Sequence, residues 1–361
     1  MEQLNRRQIL TYSLGASLLG ATSSFAQPLG TSTNSIGSWQ RMANMPFASQ
    51  EIFPVAHRQF SSKPGSTKPV INTLLISAGG SSRNSDGSFN VSSDLVIYDP
   101  RTDAWRFGVP LPAPMHHASL ISNSGYLYLI GGYISDDDSG WRMQERVFRL
   151  KDVDNGSWEE HPSLPIPQAE GTSVSLNGRL HVIGGKSPAG SINADRADHI
   201  DTDMHWAFIP GEDRWASMRA MPNARSGSAS AIFRGALYVI GGRNRANGDT
   251  AGADVYDPVS NRWQSVAPLP SEMNGCSWLA AAEWNSRLYA FGGGWMNPSS
   301  HGVYSGVSEY DPQEDKWRQV AAMPRPRYKL GAVSLDDGIY VLGGASTIEG
   351  ITSNALDRFA I

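Results

Sequence analysis

Apolar residues recur along this chain in short alternating runs, at 127–130, 180–183, 237–240, 288–291 and 339–342, with a looser run at 74–77. A period of two predicts strands. Each run leads into a glycine pair: Gly79-Gly80, Gly131-Gly132, Gly184-Gly185, Gly241-Gly242, Gly292-Gly293 and Gly343-Gly344. Self-similarity every 51 to 57 residues predicts a radial or stacked array whose units bury their apolar faces only against neighbours. Four of the runs follow a tight turn, Ser124-Gly125, Asn177-Gly178, Asn285-Ser286 or Asp337-Gly338, so each run is the second strand of a hairpin.

A second mark is stricter. Trp39, Trp105, Trp158, Trp215, Trp263 and Trp317 each stand seven residues before a proline that follows Met or Leu. From that proline to the next glycine pair the interval is 19 residues in four units, 22 before Gly292 and 33 before Gly79. The constant part is scaffold and the variable part is loop. The tryptophans are expected as wedges between sheets, with Trp141, Trp206, Trp278 and Trp295 outside the repeat as candidates for stacking on a ligand.

With a glycine pair, then Tyr98-Asp99-Pro100, Tyr256-Asp257-Pro258 or Tyr310-Asp311-Pro312, then a tryptophan, the chain resembles the Kelch family of β-propellers over residues 36 to 361. The second and third units depart, with Arg149-Leu150-Lys151 and Phe208-Ile209-Pro210 in the middle place. The resemblance implies an all-β, six-bladed propeller. One strand at 355–361 follows the last glycine pair with no tryptophan behind it, and Trp39 has no glycine pair before it. The segment around 37–42 is therefore expected to complete the last blade, removing two exposed edges.

Charged residues make up 18% of the chain, the formal charge is -4 and no basic run occurs. That balance argues against nucleic acid as a partner. Residues 1–26 read as an export signal ahead of one propeller domain at 27–361. Asn5-Arg6-Arg7-Gln8-Ile9-Leu10 precedes a mildly apolar stretch, and Ser24-Phe25-Ala26 offers a small-x-small cleavage site. The paired arginines resemble a twin-arginine signal lacking the usual Ser or Thr before them and Lys after, so a periplasmic location is expected. General secretion and an uncleaved anchor are the alternatives, although the apolar stretch is short for spanning a bilayer, and no other segment is a membrane candidate. The single Cys276 excludes an internal disulfide.

Counting from the boundary proline aligns the units. Three residues beyond it stand Ser49, Met115, Gln168, Arg225, Met273 and Arg327, and five beyond stand Glu51, His117, Glu170, Gly227, Gly275 and Lys329. Two-residue spacing predicts that both sets face a central channel. Glu170 and His117 are the candidates for general acid-base work. Glu51, Lys329, Tyr328 and Asn274 are expected beside them as ligand contacts. A mutually neutralised structural ring would present the same residue types. Arg225-Ser226-Gly227 and Arg325-Pro326-Arg327 look like segments of the animal Kelch domain that senses oxidative stress. That likeness implies that Arg225 and Arg327 grip carboxylates at the channel mouth; the alternative is that each pairs with an acid inside its blade.

Other constellations are weaker. His199, Asp201, Asp203 and His205 alternate, but such a run is more often a solvated loop than a zinc site. Asp136, Asp137 and Asp138 lack the Gly and Glu of a calcium loop. His116 and His117 are adjacent, so on a strand they face opposite ways and cannot share an ion. No metal or cofactor is expected. Galactose oxidase also resembles a Kelch propeller, but its copper site requires seven blades and a Cys-Tyr cross-link, leaving that reading remote. The sequence favours an exported propeller that binds an acidic carbohydrate or peptide, or a protein partner, without catalysis. The alternative is carried by resemblance to the bacterial periplasmic sialic-acid mutarotases (N-acetylneuraminate epimerases): anomerisation of an acidic sugar.

Overall fold

The computed structural model describes residues 36–61, 70–134, 141–273, 275–297, 299–348 and 350–361. The expected export signal, Asp136 to Asp138 and the candidate Asn274 lie outside the described residues. Six four-stranded antiparallel sheets dominate. The first joins Val55–Ser61, Val70–Ala78, Leu95–Asp99 and Ala104–Phe107 in chain order, and blades two to five repeat that order. The innermost strands begin at Val55, Ser119, Thr172, Ala229, Ala280 and Tyr328, and each contacts the next, the sixth meeting the first. The sixth sheet takes its outer strand from the other end of the chain. Ser38–Arg41 pairs with Leu356–Ala360 from Ser38↔Ala360 to Arg41↔Asp357.

Inter-sheet packing follows the repeat. Met45, Leu111, Leu164, Met221, Leu269 and Met323, the residues before the boundary prolines, are all buried. Tyr98 pairs with Trp105, Tyr256 with Trp263 and Tyr310 with Trp317 across the third and fourth strands, with ring centroids 5.1 Å apart in each. Phe208 takes the tyrosine's place over Trp215, at 5.5 Å, so the departure in the third unit keeps the aromatic pair. The tyrosine hydroxyl does a second job. It donates to Asp103, Asn261 or Asp315, and the same carboxylate or amide oxygen accepts the N–H of Ala43, Arg219 or Ala267 in the preceding blade. Four wedge tryptophans also bond backward, from Nε1 to the carbonyls of Ala43, Pro110, Pro162 and Arg219.

The glycine pairs close the toroid. The N–H of the second glycine donates to the carbonyl at the approach to the next blade's inner strand: Gly80 to Met115, Gly132 to Gln168, Gly185 to Arg225, Gly242 to Cys276, Gly293 to Arg327 and Gly344 to Ser49, all at 2.8 to 2.9 Å. The first glycine is left-handed and lies against that same carbonyl. A Cβ on Gly131 would sit 2.3 Å from the oxygen of Gln168, and one on Gly241 2.4 Å from that of Cys276. No side chain fits there.

The channel is lined by small residues, among them Ala56, Ser122, Ser173, Ser230, Ala281 and Ala332, around a cavity of about 330 Å³. Between blades three and four lies a buried imidazole pair, His181 Nδ1 2.8 Å from His205 Nε2. Burial lowers His181 to about 4 and His205 to about 3.

Two outcomes are expected. Gly241→Ala lowers the unfolding free energy by roughly 2–4 kcal/mol in urea titration, from left-handed strain plus the displaced carbonyl. For the histidines, the folded state resists protonation that the unfolded chain accepts near pH 6.5. Their contribution is therefore complete above about pH 6.5 and lost as pH falls towards 4 and then 3. Thermal melts of His181→Asn/His205→Asn show a shallower loss between pH 7 and pH 4 than the parent.

Candidate functional site

The segment after each glycine pair rises on one face of the toroid, and in five blades it forms a short ribbon. Ser81–Arg83 pairs with Phe89–Val91, Tyr133–Ile134 with Arg142–Met143, Lys186–Pro188 with His199–Asp201, Arg243–Asn244 with Gly248–Asp249, and Gly294–Asn297 with Ser300–Val303. Beneath these ribbons, one residue per blade adopts a left-handed conformation: Glu51, His117, Glu170, Gly227, Trp278 and Lys329, with φ between 53° and 61°. Backbone bonds run from one to the next around the axis. The N–H of Gly227 donates to Glu170, Trp278 to Gly227, Lys329 to Trp278, Glu51 to Lys329 and His117 to Glu51, at 2.7 to 3.2 Å. Non-glycine residues held left-handed cost of order 1–3 kcal/mol each and concentrate where function maintains them.

The fifth member corrects the sequence alignment. Trp278, not Gly275, occupies the ring, because three residues are inserted between Pro270 and the inner strand. Counting back fourteen residues from the glycine pair instead finds His117, Glu170, Gly227, Trp278 and Lys329 alike.

Glu51 is the hub. Its carboxylate accepts from Lys329 Nζ at 2.5 Å and Ser81 Oγ at 2.6 Å, and it lies 3.4 Å from His116 Nδ1 and 3.5 Å from His117 Nε2. Burial alone would raise its pKa, but the His117 and Lys329 charges and the bond to His116 hold it well below the usual carboxylate range. Lys329 is opposed by burial too, yet Glu51 keeps its ammonium above the ordinary value. Burial pushes His117 down strongly, against the pull of Glu51. His116 Nδ1 and His117 Nδ1 stand 2.7 Å apart. The expectation that these neighbours face opposite ways fails because the strand Met115–His116 ends there and His117 is left-handed, which breaks the alternation.

Glu170 forms a second centre. Burial raises its pKa more than Lys186, Arg196 and the bond from Tyr133 lower it, and Tyr133 Oη donates to Oε1 at 3.0 Å. Aromatic rings wall both centres. Trp141 meets His116, His117 and Tyr133 at 5.0, 6.3 and 5.1 Å, Trp278 meets His117 at 5.1 Å, and Tyr133 stacks on His199 at 5.5 Å. Cations sit on the outer side. The exposed Arg196 lies 4.5 Å from the Trp141 centroid, and Lys329 lies 5.8 Å from that of Trp278 with its side chain 20% exposed. Tyr328 is buried beside Trp278, with its hydroxyl donating to the carbonyl of Ile348.

Arg225 and Arg327 do not join them. Each reaches into its own blade, Arg225 to Asp254 at 2.7 Å and Arg327 to Asp357 at 2.6 Å, with further bonds to the carbonyls of Val239 and of Val341 and Ala355. Both pairs are almost fully buried. The expected grip of these arginines on a carboxylate at the mouth is corrected: the left-handed residue two positions on breaks the strand alternation, and the guanidiniums run between strands. His199, Asp201 and His205 likewise diverge, towards Asn193, Lys186 with Ser226, and His181 respectively. Cys276 is buried with its thiol directed at the carbonyl of Gly292. Trp206 packs against the core of its blade and Trp295 against Tyr304, so of the four unassigned tryptophans only Trp141 and Trp278 reach the axis.

The chain matches the KLHDC2/KLHL20/DRC7 Kelch-repeats domain over residues 65–293 and again over 115–344. It is 25% identical to Kelch-like protein 40 of Mus musculus over 264 residues, which are 72% of this chain and 40% of that protein. It is 23% identical to Beta-scruin of Limulus polyphemus, over 85% of this chain and 34% of that one. The chain thus spans well under half the length of these curated relatives. Among solved structures, that titled "Structure of YjhT" superposes with a TM-score of 0.69 at 15% identity, covering 87% of this chain and 95% of the other, which shows a shared fold.

The arginine geometry predicts a stability phenotype. Arg225→Met strands Asp254 in the core and lowers the unfolding free energy by about 3–5 kcal/mol in urea titration, and Arg225→Met/Asp254→Leu recovers most of that loss.

Proposed function

Because this chain belongs to the Kelch-repeat family of β-propellers, whose scaffold serves many ends, we propose its function from the axial loop face and infer that it binds a small acidic carbohydrate there. The observation that supports this is the pairing of aromatic rings with cations about the axis: the exposed Arg196 on Trp141, and beneath it Lys329 between the buried Trp278 and Tyr328. Aromatic faces take the apolar side of a sugar ring, and the adjacent guanidinium and ammonium take its carboxylate. Beneath them, Glu170 and Tyr133 offer hydrogen bonds to hydroxyls. With residues 1–26 as an export signal, this ligand would be met in the periplasm.

A second reading is favoured by Glu170 alone. A buried carboxyl that keeps its proton to higher pH than usual, hydrogen-bonded to a tyrosine, is suited to donate a proton during ring opening, a step worth about 10² to 10⁴ in rate. On that reading the protein is a mutarotase-like isomerase of the same acidic sugar.

N-acetylneuraminate separates the two. Calorimetry with the parent and Arg196→Ala, a change at an exposed residue, gives at least about tenfold weaker binding in the variant; equal affinities would sink the carbohydrate assignment. Proton NMR of the two anomers shows faster exchange with the parent than with Glu170→Gln if the protein is catalytic. It shows line broadening alone, in both, if it only binds.

A further inference from the structure

We propose that Glu51, His116 and His117 form a binding site for a divalent first-row metal cation at the propeller axis. This goes beyond the carbohydrate reading and stands without it. One donor atom from each residue lies within 4.8 Å of the others, and all three residues are buried. The contacts have the scale of a coordination polyhedron's edges. Donors about 2.0–2.2 Å from a tetrahedral zinc are separated by roughly 3.3 Å, and the carboxylate oxygens stand 3.4 Å and 3.5 Å from the imidazole nitrogens. A 2.7 Å contact between His116 Nδ1 and His117 Nδ1 holds the two rings together and leaves His117 Nε2 3.5 Å from the carboxylate.

The surroundings are those of a metal site rather than of a packed core. Ser81 Oγ donates to Glu51 Oε2 and fixes the carboxylate, the outer-shell contact that orients ligands elsewhere. Phe89, Tyr133 and Trp141 contact His116, and Trp278 contacts His117, an aromatic shell that excludes water and strengthens the attraction between cation and carboxylate. Two of the three ligands are brought together only by left-handed backbone at Glu51 and His117. Two imidazoles and one carboxylate leave at least one coordination position open, as in sites that take a further ligand.

Lys329 makes the proposal testable without replacing any of the three metal ligands. Its ammonium lies 2.5 Å from Glu51 Oε1, where it neutralises the carboxylate and repels an incoming dication. The experiment is titration of the full chain, stripped with chelator, with Co²⁺ followed by displacement with Zn²⁺. The expected result is about one equivalent of Co²⁺ bound with visible bands, lost in Glu51→Gln and His116→Ala, and at least about tenfold tighter binding in Lys329→Met. Near-UV circular dichroism confirms that each variant compared is folded. Absence of stoichiometric Co²⁺ binding by the parent overturns the proposal, as does a Lys329→Met variant that binds no tighter.

Discussion

Six hydrogen bonds between neighbouring blades govern this molecule. Each runs from the second glycine of a pair to the carbonyl that introduces the next blade's inner strand, and each exists because the first glycine carries no side chain to push that carbonyl away. The bonds recur at one height on the toroid, so they hold the six inner strands at a common radius. The channel they surround is narrow, which explains its alanines and serines. Just above, one residue per blade is held left-handed, and five backbone bonds link them from His117 through Glu51, Lys329, Trp278 and Gly227 to Glu170. The chemistry at the axis is thus set on a frame that does not depend on which side chains it carries, and Glu51, His117, Glu170, Trp278 and Lys329 can differ from blade to blade without disturbing it.

The blades were legible in the sequence because their marks are obligatory. A glycine at a carbonyl contact and a tryptophan wedged between sheets admit few replacements, so both recur at countable intervals. The site was partly legible. Glu51, His117, Glu170 and Lys329 emerged from spacing alone, and they are neighbours. What spacing concealed was orientation. The rule that alternate residues share a face holds along a strand, and the left-handed residue just ahead of each inner strand ends it. Arg225 and Arg327 therefore turn into the blades, His116 turns towards His117, and Trp278 was masked by three inserted residues. Trp141 stood out only as a tryptophan outside the repeat, and Tyr133 could be placed only in three dimensions, since both enter from a ribbon whose length follows no repeat.

The axial cluster combines features seldom compatible. Buried ionisable groups are costly unless each finds a partner, and here one carboxylate is surrounded by an ammonium, a hydroxyl and two imidazoles while the other rests on a tyrosine. Glu51 and Glu170 are pushed to opposite sides of the ordinary carboxylate value by those different surroundings. Two acids of one chemical type are thereby given two characters, which is the condition under which a single pocket can both hold a cation and retain a proton.

The sixth sheet has a consequence for assembly. It is completed by Ser38–Arg41 against Leu356–Ala360, and the Glu51–Lys329 pair bridges the first and last blades at that same junction. Partial rings, however well their individual sheets have formed, leave these two residues apart. The pocket is therefore complete only when residues 278 positions apart in the chain meet, and its occupancy would report directly on whether the circle has closed.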